Sequence, residues 1–150
     1  MSALGAILAV MVSWHEIEQE APEFASRVRG LFCARKHKTM ATLRADGSPR
    51  ISGIETEFGE EVTFGSMPAS RKLADLERDP RLALHSPTVD PPEADNTLWV
   101  GEAKIAGSAV RSGEVFRVDV TDVALTYLAE GQLVIESWHP GRGWERVARD

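Results

Sequence analysis

The chain has 150 residues, of which 43% are hydrophobic, and this is the size and composition of one ordinary globular domain. Seventeen Lys and Arg against 23 Asp and Glu give a net charge of -6, which excludes a broad nucleic-acid-binding surface. Its only cysteine, Cys33, excludes an intrachain disulfide, a paired-cysteine zinc site and a CxxC redox motif, so we predict a cytoplasmic protein without a metal site.

The first residues, MSALGAILAVMV, are apolar. They are fewer than the roughly 20 that a helix needs to span a bilayer, and they lack the basic start of a secretory signal. We therefore predict no membrane partner. The predicted organisation is a flexible extension over residues 1–12 and one domain over residues 13–150.

Two short helices are predicted at the start of this domain. Ser13 followed by Glu16 matches a capping box, which predicts a helix over residues 14–20. Pro22 suits the first turn of a second helix, and apolar residues follow it at helical spacing. These helices are expected to cover the end of a sheet.

From residue 39 onward, short extended runs alternate with turn residues. A third helix interrupts them: Ser70 can cap its start, and Asp79-Pro80 ends it. We count six strands with few helices, which predicts a closed antiparallel barrel.

The charge order on the third helix is the most informative feature. Arg71 and Lys72 lie in its first turn, whereas Asp75 and Glu77 lie toward its end, so both signs oppose the helix macrodipole. A phosphate would compensate, because it could bind the free backbone N–H groups, the Ser70 hydroxyl and both cations. This pattern predicts an anion site at the helix start.

The segment TFGSMPASRKLADLERDPRLAL has the order strand, Ser-Arg-Lys, helix, Asp-Pro, strand. In this it resembles the pyridoxamine 5'-phosphate oxidase-like family of FMN-binding split barrels. The similarity covers residues 38–87 and resumes at GEAKIAGSA and IESWHPGRG. It implies a mainly β fold, a six-stranded antiparallel split barrel with peripheral helices, and a homodimer with two flavin sites at its interface.

The resemblance also implies roles for individual residues. It puts Arg71 and Lys72 at the flavin phosphate, residues 40–44 along the isoalloxazine ring, and Trp138 in a C-terminal segment that closes the site from the other subunit. His139 would lie close to the ligand pocket. The implied cofactor-binding residues are Met40, Ala41, Thr42, Leu43, Arg44, Ser66, Ser70, Arg71, Lys72, Trp138 and Arg142.

Three departures from the family bear on the activity. Thr39 stands where the oxidases have a phosphate-binding arginine, and Glu102 stands where they have a flavin-contacting glutamine. The connection between Val110 and Phe116 is too short for the helix that supplies the substrate-phosphate ligands. True pyridoxamine phosphate oxidase activity is therefore not expected.

The resulting hypothesis is an FMN-binding oxidoreductase that acts on a small molecule by hydride transfer, with a nicotinamide cofactor as a candidate partner. Two alternatives stay open. One is a deazaflavin-dependent reductase, since Arg71 and Lys72 do not discriminate between the two cofactors. The other is a flavin- or ligand-binding module without turnover.

Overall fold

Both predicted N-terminal helices are present in the computed structural model, which describes residues 11–65 and 67–150. The helices are α1 (Trp14–Glu20) and α2 (Pro22–Phe32), and the Ser13 hydroxyl accepts a hydrogen bond of 3.3 Å from the Glu16 amide, as a helix cap should. Val12 is buried, whereas residues 1–10 of the predicted extension lie outside the described residues. No described helix is long and apolar enough to cross a membrane.

Nine strands form one antiparallel sheet, and a third helix, α3 (Arg71–Arg78), lies between the fourth and fifth strands. The strands are β1 (His37–Leu43), β2 (Pro49–Glu55), β3 (Glu57–Phe58), β4 (Val62–Gly65), β5 (Arg81–His85), β6 (Glu102–Ser112), β7 (Val115–Ala129), β8 (Gln132–His139) and β9 (Gly143–Arg149).

The strands are hydrogen-bonded in the order β2-β1-β5-β6-β7-β4-β3, and β8 pairs with β7 and β9. This confirms the antiparallel, mainly β architecture, but the predicted count of six strands and the closed barrel are wrong. The sheet stays open between β2 and β4, since no ladder joins them in the described part of the chain. Strand β9 was not predicted, because six of its seven residues are exposed and the segment therefore lacks the alternation of apolar and polar residues that marks a strand.

Alternating side chains give the sheet two different faces. The inner face buries Met40, Leu84 and Ile105 completely against Trp14 and Phe32 of the helices. The outer face runs through the paired positions Ile51, Ala41, Ala83 and Ala106 on four adjacent strands, and through Ile135 and Val147 on β8 and β9. It is open to solvent: Ile51 is 74% exposed and Val147 is 49% exposed.

A buried carboxylate, Asp75, attaches α3 to the first two strands. Its Oδ2 accepts hydrogen bonds of 2.7 Å from the Thr42 hydroxyl of β1 and of 2.7 Å from Nε of Arg50 on β2. Arg78 donates to its Oδ1 at 3.3 Å. These hydrogen bonds, that of Arg50 first, outweigh burial and lower the pKa of Asp75 to about 2.

We predict that Asp75→Asn lowers the free energy of unfolding at pH 7 by about 3 kcal/mol, because Arg50 is left partly buried without its charge partner. The native pKa lies below that of the unfolded chain, so the stabilisation is full above about pH 5 and is lost as the pH falls toward 2. The difference in unfolding free energy between wild type and variant should shrink over that interval. Denaturant titrations at several pH values measure it.

Asp79→Asn is the matched control. Asp79 lies at the end of the same helix, but its salt bridge to Arg81 is at the surface, so its loss should lower the free energy of unfolding much less than the loss of Asp75 does. Equal losses in the two variants at pH 7 would contradict the assignment of Asp75 as the attachment point of α3.

Candidate functional site

The start of α3 is capped as the sequence predicts. The Ser70 hydroxyl accepts a hydrogen bond of 3.3 Å from the Leu73 amide, so it serves the helix itself. Ala69, just before it, has a φ of 64°, a left-handed conformation that non-glycine residues rarely adopt. Strained backbone of this kind is concentrated at ligand sites and costs on the order of 1–3 kcal/mol. The segment leading into α3 is therefore a candidate site on backbone geometry as well as on sequence.

Arg71 and Lys72 do not line the same cleft. Adjacent residues on an α-helix point about 100° apart, and here Lys72 lines a cleft of about 610 Å³ while Arg71 lines one of about 440 Å³. We call these the opening cleft and the arginine cleft. The opening cleft is lined by His37, Gly53, Ile54, Glu55, Gly65, Met67, Pro68 and Lys72. The arginine cleft is lined by Arg44, Ala45, Asp46, Arg50, Arg71, Ala74, Asp75 and Arg78.

The opening cleft lies where the sheet is open between β2 and β4. Lys72 reaches across it, and its Nζ donates a hydrogen bond of 3.2 Å to the Gly53 carbonyl oxygen of the edge strand β2. The one acid lining the cleft, Glu55, is 3.3 Å from His37 and 3.7 Å from Lys36. Lys72 thus has no carboxylate partner among the described residues, and an incoming anion would gain a charge-assisted hydrogen bond from it.

The outer face of the sheet leads away from this cleft. Gly53 pairs with Thr39, and Thr39 pairs with His85 on β5. His85 Nε2 is 3.0 Å from Oε2 of Glu102 on β6, whose other oxygen is 3.4 Å from Lys104. Burial raises the pKa of Glu102, but the contacts with His85 and Lys104 lower it by more, so the pKa lies below its usual range.

Thr39 and Glu102, the two side chains at which the sequence departs from the family, therefore share one surface. Three strand spacings, about 14 Å, separate β2 from β6 along it. An elongated ligand with its anion at Lys72 could extend toward the carboxylate of Glu102.

Only part of the predicted strand 40–44 faces this surface. Ala41 and Leu43 belong to the outer face, but Met40 and Thr42 are 0% and 2% exposed and point into the core. The two-residue period of a strand requires this split. Arg44 lies beyond the end of β1, in the arginine cleft.

The side chain of Trp138 is 2% exposed in the single chain, belongs to the core and donates a hydrogen bond of 3.2 Å from Nε1 to Glu20. His139 is bound to Asp122 at 2.6 Å. Arg142 is exposed in the β8–β9 turn, and four strand spacings separate β8 from β1. Ser66 lies outside the described residues.

Three residues near the two clefts were missed by the sequence analysis: Gly53, Arg50 and Arg78. Arg50 did carry a signal, because it occupies an inner-face position of β2 and pairs with the inward-facing Thr42. A charged residue at such a position requires a buried partner, here Asp75. Gly53 contributes a backbone oxygen, which side-chain chemistry does not reveal.

No protein-family model and no curated protein sequence matches this chain. Among solved structures it is similar to PhzG from Burkholderia lata 383, in complex with tetrahydrophenazine-1-carboxylic acid (TM-score 0.61, 12% identity, covering 93% of this chain and 97% of PhzG). It is also similar to a pyridoxamine 5'-phosphate oxidase-related, FMN-binding protein from Nostoc punctiforme PCC 73102 (TM-score 0.58, 13% identity, covering 100% of this chain and 98% of that one).

General Stress Protein 26 from Bacillus anthracis str. Sterne matches over a shorter region, with a TM-score of 0.51 and 10% identity, covering 67% of this chain and 91% of that one. At these identities the likeness concerns the fold. The chain therefore shares the split-barrel type of fold with these structures.

Proposed function

We propose that this protein binds FMN, with the flavin phosphate at Lys72 in the opening cleft. The observation that carries the proposal is a lysine that has no carboxylate partner among the described residues and donates to the Gly53 carbonyl oxygen at the open edge of the sheet. The space beside Gly53 is open, since an added Cβ there would meet nothing within 4 Å. The structurally similar Nostoc protein, described as FMN-binding, supports the choice of cofactor.

Different residues of the chain would contribute the charge, the apolar surface and the polar contacts that a bound flavin needs. Lys72 supplies the charge that neutralises the phosphate, and Ala41 with Leu43 offers apolar surface on the outer face for a ring. Glu102, fixed by His85 and Lys104, places a negative charge at the far side of that surface. A bound flavin would supply the hydride and electron chemistry, while these side chains orient and tune it.

The outer face is also our proposed homodimer interface. It is a continuous sheet surface bearing Ile51, Ala41 and Ala83 at one end and Ile135 with Val147 at the other. Exposed apolar residues on the face of a sheet are typical of association sites. A partner subunit on this face would cover a flavin bound there and complete its site.

We assign the activity as flavin-dependent oxidation or reduction of a small molecule, with a nicotinamide cofactor as the candidate hydride donor. The deazaflavin alternative predicts a different absorption band of the loaded protein. A module that only binds would keep the flavin without turning over a nicotinamide. Absorption spectra and NADH or NADPH consumption by the loaded protein separate these three cases.

Lys72→Ala should weaken FMN binding by about 1.5–3 kcal/mol, because it removes one charge-assisted hydrogen bond to the phosphate. That corresponds to about 10- to 150-fold in Kd. Binding of riboflavin, which lacks the phosphate, should be nearly unchanged. Arg71→Ala should change FMN binding less than about threefold, since its side chain lines the other cleft. Flavin fluorescence titration of the wild type and of both variants measures these affinities.

Lys36→Ala is the control, because it removes the same charge near the cleft from an exposed lysine that already pairs with Glu55. Equal effects of Lys36→Ala and Lys72→Ala on FMN binding would contradict the phosphate assignment. So would an equal loss of riboflavin binding in Lys72→Ala.

Ile51→Asp should dissociate the dimer, since it places a charge within the proposed interface at a position that is 74% exposed in the single chain. Leu98→Asp, at a 59% exposed leucine outside the sheet, should leave the dimer intact. Sedimentation velocity distinguishes the two variants. A wild-type protein that sediments as a monomer at all concentrations would overturn the interface.

The FMN-loaded protein should not oxidise pyridoxamine phosphate at an enzymatic rate. The structure confirms that β6 and β7 are joined by only Gly113 and Glu114, so no helix is present there to hold the substrate phosphate. Positioning of that kind can be worth about 7–11 kcal/mol of barrier. Pyridoxal phosphate formation under air measures the rate, and turnover on the order of 1 per second or faster would contradict the prediction.

A further inference from the structure

We propose that His85 is a fixed positive charge on the outer face of the sheet, an imidazolium held between Glu102 and the Ser86 carbonyl oxygen, and that this charge favours the reduced form of a bound flavin. His85 lies on β5 beside Thr39 of β1, on the surface that leads from the opening cleft to Glu102. The inference deepens the proposed function, and its second half rests on that function.

Both ring nitrogens of His85 face oxygen atoms that only accept hydrogen bonds. Nδ1 is 2.6 Å from the Ser86 carbonyl oxygen, and Nε2 is 3.0 Å from Oε2 of Glu102. A carbonyl oxygen and an ionised carboxylate carry no hydrogen, so each contact is a hydrogen bond only when the ring nitrogen donates. A neutral imidazole has one N–H group, whereas an imidazolium has two. The geometry therefore fits the charged form of the ring.

The state of Glu102 decides which group carries the hydrogen between the two side chains. Oε1 of Glu102 is 3.4 Å from Nζ of Lys104, while Oε2 faces His85. Burial raises the pKa of Glu102, but these two contacts outweigh burial and hold the pKa below its usual range. Glu102 is thus an ionised acceptor, and the hydrogen in this contact belongs to Nε2 of His85.

The carbonyl group that accepts from Nδ1 is itself fixed. Ser86 is 2% exposed, and its amide donates a hydrogen bond of 2.9 Å to the Ala103 carbonyl oxygen. The Ser86 hydroxyl accepts a hydrogen bond of 3.0 Å from the Ala103 amide. The end of β5 is therefore tied to β6, and the imidazole ring is oriented without any ligand.

The charged groups around the ring leave an excess of one positive charge. Lys104 is paired with His85 across β5 and β6, and Glu102 contacts both of them. Like charges on paired residues repel, and the carboxylate between them offsets that repulsion. The other neighbours in register on this face, from β1 and β7, are uncharged: Thr39, Thr126 and Ala124. The negative charge of Glu102 is therefore outweighed by two cations.

The sign of this charge matters because reduction makes a flavin more negative. A hydride brings two electrons and one proton, so its transfer from a nicotinamide leaves the flavin with one negative charge and the nicotinamide oxidised. A net positive charge on the surface where the ring would lie stabilises that reduced form relative to the oxidised form. His85 would thus raise the reduction potential of the flavin.

The charge of His85 is tested by NMR on the protein without flavin, from the ring nitrogen chemical shifts of a histidine-labelled sample at pH 7. His85→Gln identifies the signals, and we expect both nitrogens of the wild-type residue to carry hydrogen. Glu102→Gln should leave hydrogen on one nitrogen only, because it removes the negative charge. Lys104→Gln is the matched control, since it removes the other partner of Glu102, and it should leave both nitrogens protonated. A single N–H on wild-type His85 would overturn the proposal.

The effect on the flavin is measured as the reduction potential of bound FMN, with dithionite as the reductant. His85→Gln should weaken the binding of reduced FMN relative to oxidised FMN about tenfold, which lowers the potential by about 30 mV for a two-electron couple. His15→Gln, which removes an exposed histidine from α1, should change the same ratio less than about twofold.

Failure of this inference and failure of the proposed function give different results. A protein that takes up no FMN would contradict the proposed function, whereas the nitrogen shifts would still decide the charge of His85. FMN that binds with the same reduction potential in the wild type and in His85→Gln would contradict the role of His85 and leave the FMN site intact.

Discussion

The buried carboxylate of Asp75 is the interaction on which the arrangement of both clefts depends. It joins Thr42 on β1, Arg50 on β2 and Arg78 at the end of α3. Because a buried charge is tolerated only when it is paired and hydrogen-bonded, this network permits a single placement of the helix relative to the strands. That placement directs the two basic residues at the start of the helix into separate clefts.

The open edge of the sheet is the second constraint. A closed barrel would pair β2 with β4 and satisfy the backbone groups along that edge, whereas here the Gly53 carbonyl accepts from Lys72. The same opening leaves one face of the sheet exposed, with apolar residues along it. A ligand at the edge and a second subunit on the face are complementary ways of covering this surface.

The structure shows how the reversed charge order on α3 is partly compensated. Its acidic residues are compensated within the protein, Asp75 by Arg50 and Arg78, and Glu77 by Arg111 at 3.2 Å. The two basic residues of its first turn, Arg71 and Lys72, have no salt bridge to any carboxylate of the described residues. The uncompensated positive charge of the reversed order therefore lies at the helix start, which is the end where the macrodipole favours an anion.

Local signals in the sequence determined the elements: Ser13 and Ser70 cap helices, Pro22 begins one, and the alternating runs become strands, because these preferences act over a few neighbouring residues. The sequence also revealed the basic pair at residues 71 and 72 and the short connection after Val110. Tertiary structure alone decided the rest. The exposed edge strand β9 shows no alternation of apolar and polar residues. Trp138 is buried where it contacts Glu20, 118 residues away in the chain. Arg71 and Lys72 line different clefts because Asp75 fixes the position of their helix. Contacts between residues that are distant in the chain leave no local pattern, so packing had to be seen before the two clefts could be told apart.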